Sequence, residues 1–114
     1  KFIKYFEQYI HKEQAYTDSS SLLEYKRPHF HLKKRYLEFN LNSFEDFLDE
    51  KRVGTERVDL VLNIQKILKA RRVRGYINGK SCRRWRINHY DIPRDDLIIE
   101  GEATEMKEIT DDKS

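Results

Sequence analysis

The chain has little of what enzymes and secreted proteins are usually built around. A single cysteine, Cys82, excludes an internal disulfide and fits an intracellular setting, the cytoplasm of a prokaryote or the nucleus of a eukaryote. No run of roughly 18 apolar residues occurs, so no membrane-spanning helix and no membrane partner are expected. No signal-peptide pattern opens the sequence. The chain starts at Lys1 and its single methionine is Met106, which reads as a piece of a longer protein. Its four glycines are scattered singly, so there is no glycine-rich loop to cradle a phosphate. The histidines are His11, His29, His31 and His89, and neither a Cys-x-x-Cys nor a His-x-x-x-His pair accompanies them. No metal site and no cofactor are therefore expected. The acid pairs Glu45–Asp46 and Asp95–Asp96 are adjacent in sequence, a spacing suited to helix starts and solvated turns. No catalytic constellation stands out, and no enzyme is expected within this chain.

Charge is what the sequence does have, unevenly placed. Lysine and arginine total 23 and aspartate and glutamate 20 over 114 residues, for a formal net charge of +3. Residues 66–87, "KILKARRVRGYINGKSCRRWRI", carry Lys66, Lys69, Arg71, Arg72, Arg74, Lys80, Arg83, Arg84 and Arg86 and no acid. Residues 91–114 carry a large excess of acids. The modest total thus hides a basic body and an acidic end, an asymmetry that points to a polyanionic partner.

The periodicity yields a mixed α+β order of elements. Residues 1–12 place Phe2, Ile3, Phe6, Tyr9 and Ile10 at helical spacing, predicting an amphipathic helix with an aromatic inner face. "TDSSS" (17–21) reads as a turn or loop. "HFHLKKRYLEF" (29–39) reads as an extended stretch folding back as a hairpin about Lys33–Lys34. "NSFEDFLDEKR" predicts a short helix over 42–52, with Ser43 as its N-cap. The apolar arc of 55–70, from Val58 through Leu68, predicts a central buried helix capped by Thr55, with Asp59, Asn63 and Lys66 on its exposed strip. Two strand-like runs, 71–77 and 81–87, are joined through Asn78-Gly79, the strongest short-range hairpin signal. "LII" (97–99) reads as a short strand or an apolar patch against the core.

The register of that basic hairpin decides what it can do. With a three-residue loop, Arg72 stands opposite Arg86 and Arg74 opposite Arg84, giving an apolar face and an arginine face. Like charges across a ladder cost stability, so such a face makes sense when an anion neutralises it. With a two-residue loop, Arg72 pairs with Trp85, a cation–π arrangement, and the charges scatter. Either way, Lys and Arg binding to phosphate release condensed counterions, and the arginine fork suits phosphate oxygens especially. The expected nucleic-acid contacts are Asn63, Lys66, Lys69, Arg71, Arg72, Arg74, Tyr76, Lys80, Arg83, Arg84 and Arg86. Tyr76 would stack on bases, whereas Trp85 is expected to anchor the hairpin to the core. Asp59 and Glu56 beside the helix strip argue against a deep major-groove fit.

Helix, extended segment, capped short helix, tight turn, longer helix and basic hairpin, over residues 36–88, resemble a winged helix (winged helix-turn-helix). The run carried by Val61, Ile67, Leu68, Val73, Gly75, Tyr76 and Ile77 is also similar to the winged-helix end of PCI domains. The same stretch, preceded by "RYLEF", resembles the winged helix closing mobile-element replicative helicases and primase–helicases. These resemblances imply a winged-helix domain over 29–93 with its wing at 71–88, preceded by the N-terminal helix and loop over 1–28. The polar, acidic composition from Gly101 onward argues for disorder, so 94–114 is expected to be an acidic, largely disordered tail. The resemblances also imply a DNA-binding module of a larger replication, repair or mobile-element protein. Duplex DNA is the favoured partner, with single-stranded DNA or RNA as alternatives. The rival expectation is a PCI-like protein-interaction scaffold, drawing on an apparent surplus of aromatics: Phe2, Phe6, Tyr9, Phe30, Tyr36 and Phe39.

Overall fold

The N-terminal periodicity forms helix α1, Phe2–Glu13, in a computed structural model that describes residues 1–24 and 26–99. Phe6, Tyr9 and Ile10 are its buried residues, while Ile3 faces solvent. The chain leaves the helix through Gln14, whose φ of 63° lies in the left-handed region. A two-residue strand β1, Ala15–Tyr16, and a single helical turn α2, Ser21–Glu24, follow. The "TDSSS" loop therefore runs into α2, and Asp18 accepts the Ser20 N–H at 3.0 Å in a local turn. Strands β2, His29–His31, and β3, Tyr36–Phe39, form the hairpin read from the sequence, in antiparallel register.

Helix α3, Leu41–Glu50, begins earlier than its sequence suggests. Its N-cap is Asn40, whose side-chain oxygen accepts the Ser43 N–H at 3.1 Å, the bond an N-cap provides. Ser43 is thereby inside the helix, and its hydroxyl accepts from the Tyr9 hydroxyl at 2.8 Å. Helix α4, Arg57–Lys66, likewise starts after Thr55; Glu56 is its N-cap and makes no side-chain capping bond. The helix ends where Lys69 turns left-handed, at a φ of 58°, and the Ala70 N–H reaches back to the Ile64 carbonyl. Its burial corrects the sequence reading. Only Leu60 and Ile64 are buried, whereas Val58, Leu62 and Ile67 are exposed. The apolar arc is wider than the surface available to cover it, so α4 is a peripheral helix.

Strands β4, Arg71–Ile77, and β5, Lys80–Ile87, close the basic hairpin, and after a 3₁₀ turn at Arg94–Asp96 strand β6, Leu97–Ile98, adds an edge. The α+β fold thus has a six-stranded sheet in the order β4-β5-β3-β2-β1-β6. β1 runs parallel to both of its neighbours, and the other pairs are antiparallel. One face packs Phe30, Leu37, Phe39, Trp85 and Ile87 against residues of α1, α3 and α4 in the main core, and Leu22, Ile77 and Cys82 form a second, smaller cluster. Phe6, Phe39 and Phe44 meet edge to face, with centroids 4.9 to 6.0 Å apart; each fully buried ring contributes roughly 1.5–3 kcal/mol. Aromatics that looked surplus in the sequence are therefore core: Phe6, Tyr9, Phe30 and Phe39 are all buried. They do not present an aromatic docking surface. Of the acidic end, residues 94–99 hold the 3₁₀ turn and β6, and 100–114 lie outside the described residues. Among the described residues no helix is long and apolar enough to cross a membrane.

Candidate functional site

The hairpin turn settles the register that the sequence left open. Asn78 and Gly79 both have positive φ, 52° and 80°, and Ile77 pairs directly with Lys80. This is a two-residue loop of the primed type, whose twist matches that of the strands it joins. Arg72 then pairs with Trp85, Val73 with Arg84, Arg74 with Arg83 and Arg71 with Arg86. Because side chains alternate along a strand, the arginines divide between the two faces of the sheet.

On the face away from the core, Arg84 and Arg86 point at a carboxylate distant in sequence. Glu38 of β3 pairs across the ladder with Arg86 on one side and His29 on the other. Its Oε2 accepts from Arg84 Nε at 3.0 Å and from Arg86 Nε and Nη2 at 2.9 and 2.7 Å. Its Oε1 lies 3.0 Å from His29 Nδ1. Glu38 is only 1% exposed. Burial raises its pKa, but the hydrogen bonds from His29, Arg86 and Arg84 outweigh that and hold it down at about 2. Arg86 also lies over the Tyr36 ring, 4.0 Å from its centroid. Two of the expected phosphate contacts are thus already engaged with a buried acid.

On the opposite face the hairpin overhangs the core. Trp85 is buried, as expected of an anchor, and Arg72 lies over its ring at 5.0 Å. Beyond it stand Arg74 and Arg83, directly opposed. These three arginines, with Ser81, form one wall of a cleft of about 560 Å³, whose other wall is Asn40, Leu41, Asn42 and Arg57. Arg57 is tied to Glu45 at 2.8 Å and to the Asn42 side chain at 3.4 Å. Among the described residues no carboxylate pairs with Arg72, Arg74 or Arg83. The amide end of α3 borders the same cleft through its N-cap Asn40 and first residues, and its partial positive charge adds to that of the arginines. Chemically this is a positively charged groove rich in N–H donors, the kind of group that suits an anion.

The remaining expected contacts lie elsewhere. Lys66 stands nine residues along α4 from Arg57, about 14 Å away at 1.5 Å per residue, and Asn63 is half-buried on that same far end. Lys69 and Arg71 are exposed beyond it, before and at the start of β4, and Lys80 is exposed at the hairpin tip. Tyr76 is 78% exposed and stands across from Ser81. Asn40, Asn42 and Arg57 complete the cleft. Of these, only Arg57 carried a sequence signal, a cation beside the start of a helix.

A larger cleft of about 690 Å³ lies between α1, the end of α3 and residues 90–96. It mixes Lys4, Lys12 and Lys51 with Glu7, Asp91 and Asp96, and His11 Nδ1 meets Asp96 at 2.7 Å. Burial pushes the Tyr90 hydroxyl bordering it up to about 12, with Glu7 and Asp96 adding to the effect. Its lining mixes both signs of charge, so size alone does not make it the better site for an anion. No protein-family model, curated protein or solved structure matches this chain.

Proposed function

We propose that this domain binds nucleic acid, duplex DNA in the first instance, by holding its phosphate backbone in the arginine cleft between the β4–β5 hairpin and α3. One observation carries the reading: Arg72, Arg74 and Arg83 converge on a single groove with no acid among the described residues to neutralise them. Arg74 and Arg83 face each other across the ladder, an arrangement that costs stability until an anion lies between them. The connectivity supports a winged-helix type of domain: strand β3, helices α3 and α4, then the hairpin, with β5 between β3 and β4. In that scheme α4 takes the place of the helix that reads bases. Its exposed side carries Val58, Asp59 and Leu62, which suit neither base edges nor phosphates, and, at the end far from the cleft, Gln65 and Lys66, which do. The binding is therefore led by the hairpin and is largely independent of base sequence.

The test is fluorescence anisotropy with labelled duplex and single-stranded DNA over a range of salt, beside the variant Arg72→Gln/Arg74→Gln/Arg83→Gln. Three phosphate contacts contribute about 2.7 to the slope of log K against log salt. The variant should bind weakly with a slope shallower by that amount. Wild-type protein that binds neither DNA at low salt, or a variant that binds as well as wild type, overturns the proposal. A second reading, a protein partner on α4, is favoured by one observation: Val58 and Leu62, one turn apart, are 63% and 43% exposed. A partner complex that survives high salt would support it.

A further inference from the structure

The other end of the hairpin carries a second concentration of positive charge, outside the arginine cleft. We propose that the corner between the β2–β3 turn and the chain leaving β5 is a second phosphate-binding site for the same nucleic-acid backbone. This rests on the reading of the arginine cleft as a nucleic-acid interface. A pocket of about 600 Å³ opens at this corner, lined by Lys33, Lys34, Arg35, Tyr36, Arg86 and His89 among others. Its lining holds no carboxylate, whereas Glu7, Asp91 and Asp96 line the larger cleft beside α1. Lys33, Lys34 and Arg35 are exposed, and among the described residues none of them forms an ion pair.

The corner is braced. The Arg35 N–H donates to the His31 carbonyl at 2.7 Å, and the Arg35 carbonyl accepts the Tyr90 N–H at 2.9 Å. The Lys34 N–H donates to His31 Nδ1 at 3.2 Å. Arg35 and His89 both hold left-handed backbone, at φ of 57° and 56°. Side chains other than glycine adopt that conformation at a cost, and it persists only where surrounding bonds enforce it. Cations carried on such a fixed turn lose less freedom on binding than cations on a loose loop. Arg86 is held too, by Glu38 on one edge and by its stack over Tyr36, so it forms a rigid wall of the pocket.

Asn88, in this corner, lies just past the end of β5 and five residues beyond Arg83 of the cleft, roughly 16 Å at the rise of a strand. Arg83 and Arg86 leave β5 on opposite faces of the sheet, so a backbone held at both sites passes round the end of the hairpin.

The decisive measurement compares duplex-DNA affinity and its salt dependence for four proteins: wild type, the cleft variant Arg72→Gln/Arg74→Gln/Arg83→Gln, the corner variant Lys33→Gln/Lys34→Gln, and a control, Lys12→Gln/Lys51→Gln. The control removes the same charge beside Phe47, over which both lysines stand. The corner variant keeps the backbone bonds of the turn, and circular dichroism checks that it is folded. The expected result is a loss of roughly tenfold or more at low salt and a salt slope shallower by about 1.8, two phosphate contacts, with the control near wild type. A corner variant indistinguishable from the control overturns the second site and leaves the arginine cleft standing. Loss in the corner variant with normal binding by the cleft variant overturns the cleft instead. No DNA binding by wild type overturns both.

Discussion

Arg84 and Arg86 leave strand β5 on one side of the sheet and Arg83 leaves it on the other, and the two sides treat their charge in opposite ways. On the outer side, three N–H groups from Arg84 and Arg86 converge on the buried Glu38 carboxylate, with His29 on its second oxygen. On the cleft side, Arg83 faces Arg74 across the ladder, and among the described residues neither meets an acid. The same residue type within a few positions is thus structural in one case and open to a ligand in the other. What separates them is the side-chain alternation of a strand and the identity of the residue one strand away.

Glu38 offers the strongest way to break this contrast. Glu38→Ala leaves two arginines partly buried beside His29 without their common acceptor, and breaking a buried ion pair from one side costs about 3–5 kcal/mol. That is a large part of the stability of an ordinary domain. Urea denaturation followed by circular dichroism should show the variant mostly unfolded or with its midpoint far lower. A midpoint shift under about 1 kcal/mol, the range of exposed ion pairs, would mean that the cluster is not a structural element. The exposed pair Arg57–Glu45 provides the comparison, since Glu45→Ala should stay within that small range.

Acidification sharpens the same point without a mutation. Glu38 titrates at about 2 in the folded protein against an ordinary 4.5. Because the folded value is the lower one, its contribution is fully present above about pH 4.5 and is lost as pH falls toward 2. The difference corresponds to roughly 3 kcal/mol. Urea midpoints from pH 5 to about 2 should fall by that much in wild type. Glu38→Gln should be less stable at neutral pH and lose this part of the dependence. Equal slopes in the two proteins would show that other carboxylates carry the acid response.

How far the sequence reveals this arrangement follows from the distances involved. Helix α1, the 29–39 hairpin, α3 and the Asn-Gly turn rest on local spacing and turn chemistry, and all stand in the structure. The neutralisation of Arg84 and Arg86 was not legible locally, because Glu38 lies 46 and 48 residues away. One signal existed: an acid in "YLEF" between two apolar residues that both prove buried, which needs a partner. Strand β1 is two residues long and carries no period to read, whereas β6, Leu97–Ile98, falls on the "LII" run that read as a short strand or an apolar patch. Helix α4 misled in the other direction, since an apolar arc says what could be buried and not how much surface there is to bury it. Of the expected contacts, Arg72, Arg74 and Arg83 border one cleft. Arg84 also touches it, but its guanidinium is bound to Glu38 on the outer face, and the others are spread along the far end of α4, the hairpin tip and the outer face.

The smallest expected effect tests the open side. Arg74→Thr keeps a residue suited to a strand and removes one of two like charges standing directly opposite, so it should leave stability unchanged or raise it by about 0.2–1 kcal/mol. Arg72 is the right contrast on the same strand and face. Its guanidinium covers the Trp85 ring, and Arg72→Thr should cost about 0.5–1 kcal/mol through the lost cation–π contact and packing. Urea midpoints at low and high salt separate the two causes, because screening weakens the Arg74–Arg83 repulsion and leaves the stack over Trp85 largely intact. A gain from Arg74→Thr that disappears in high salt would identify the repulsion as electrostatic, the condition that the proposed phosphate contact would relieve. A loss of more than about 1 kcal/mol, beyond what an exposed surface substitution costs, would instead make Arg74 a structural residue like Arg84 and Arg86, and would erase the difference between the two faces.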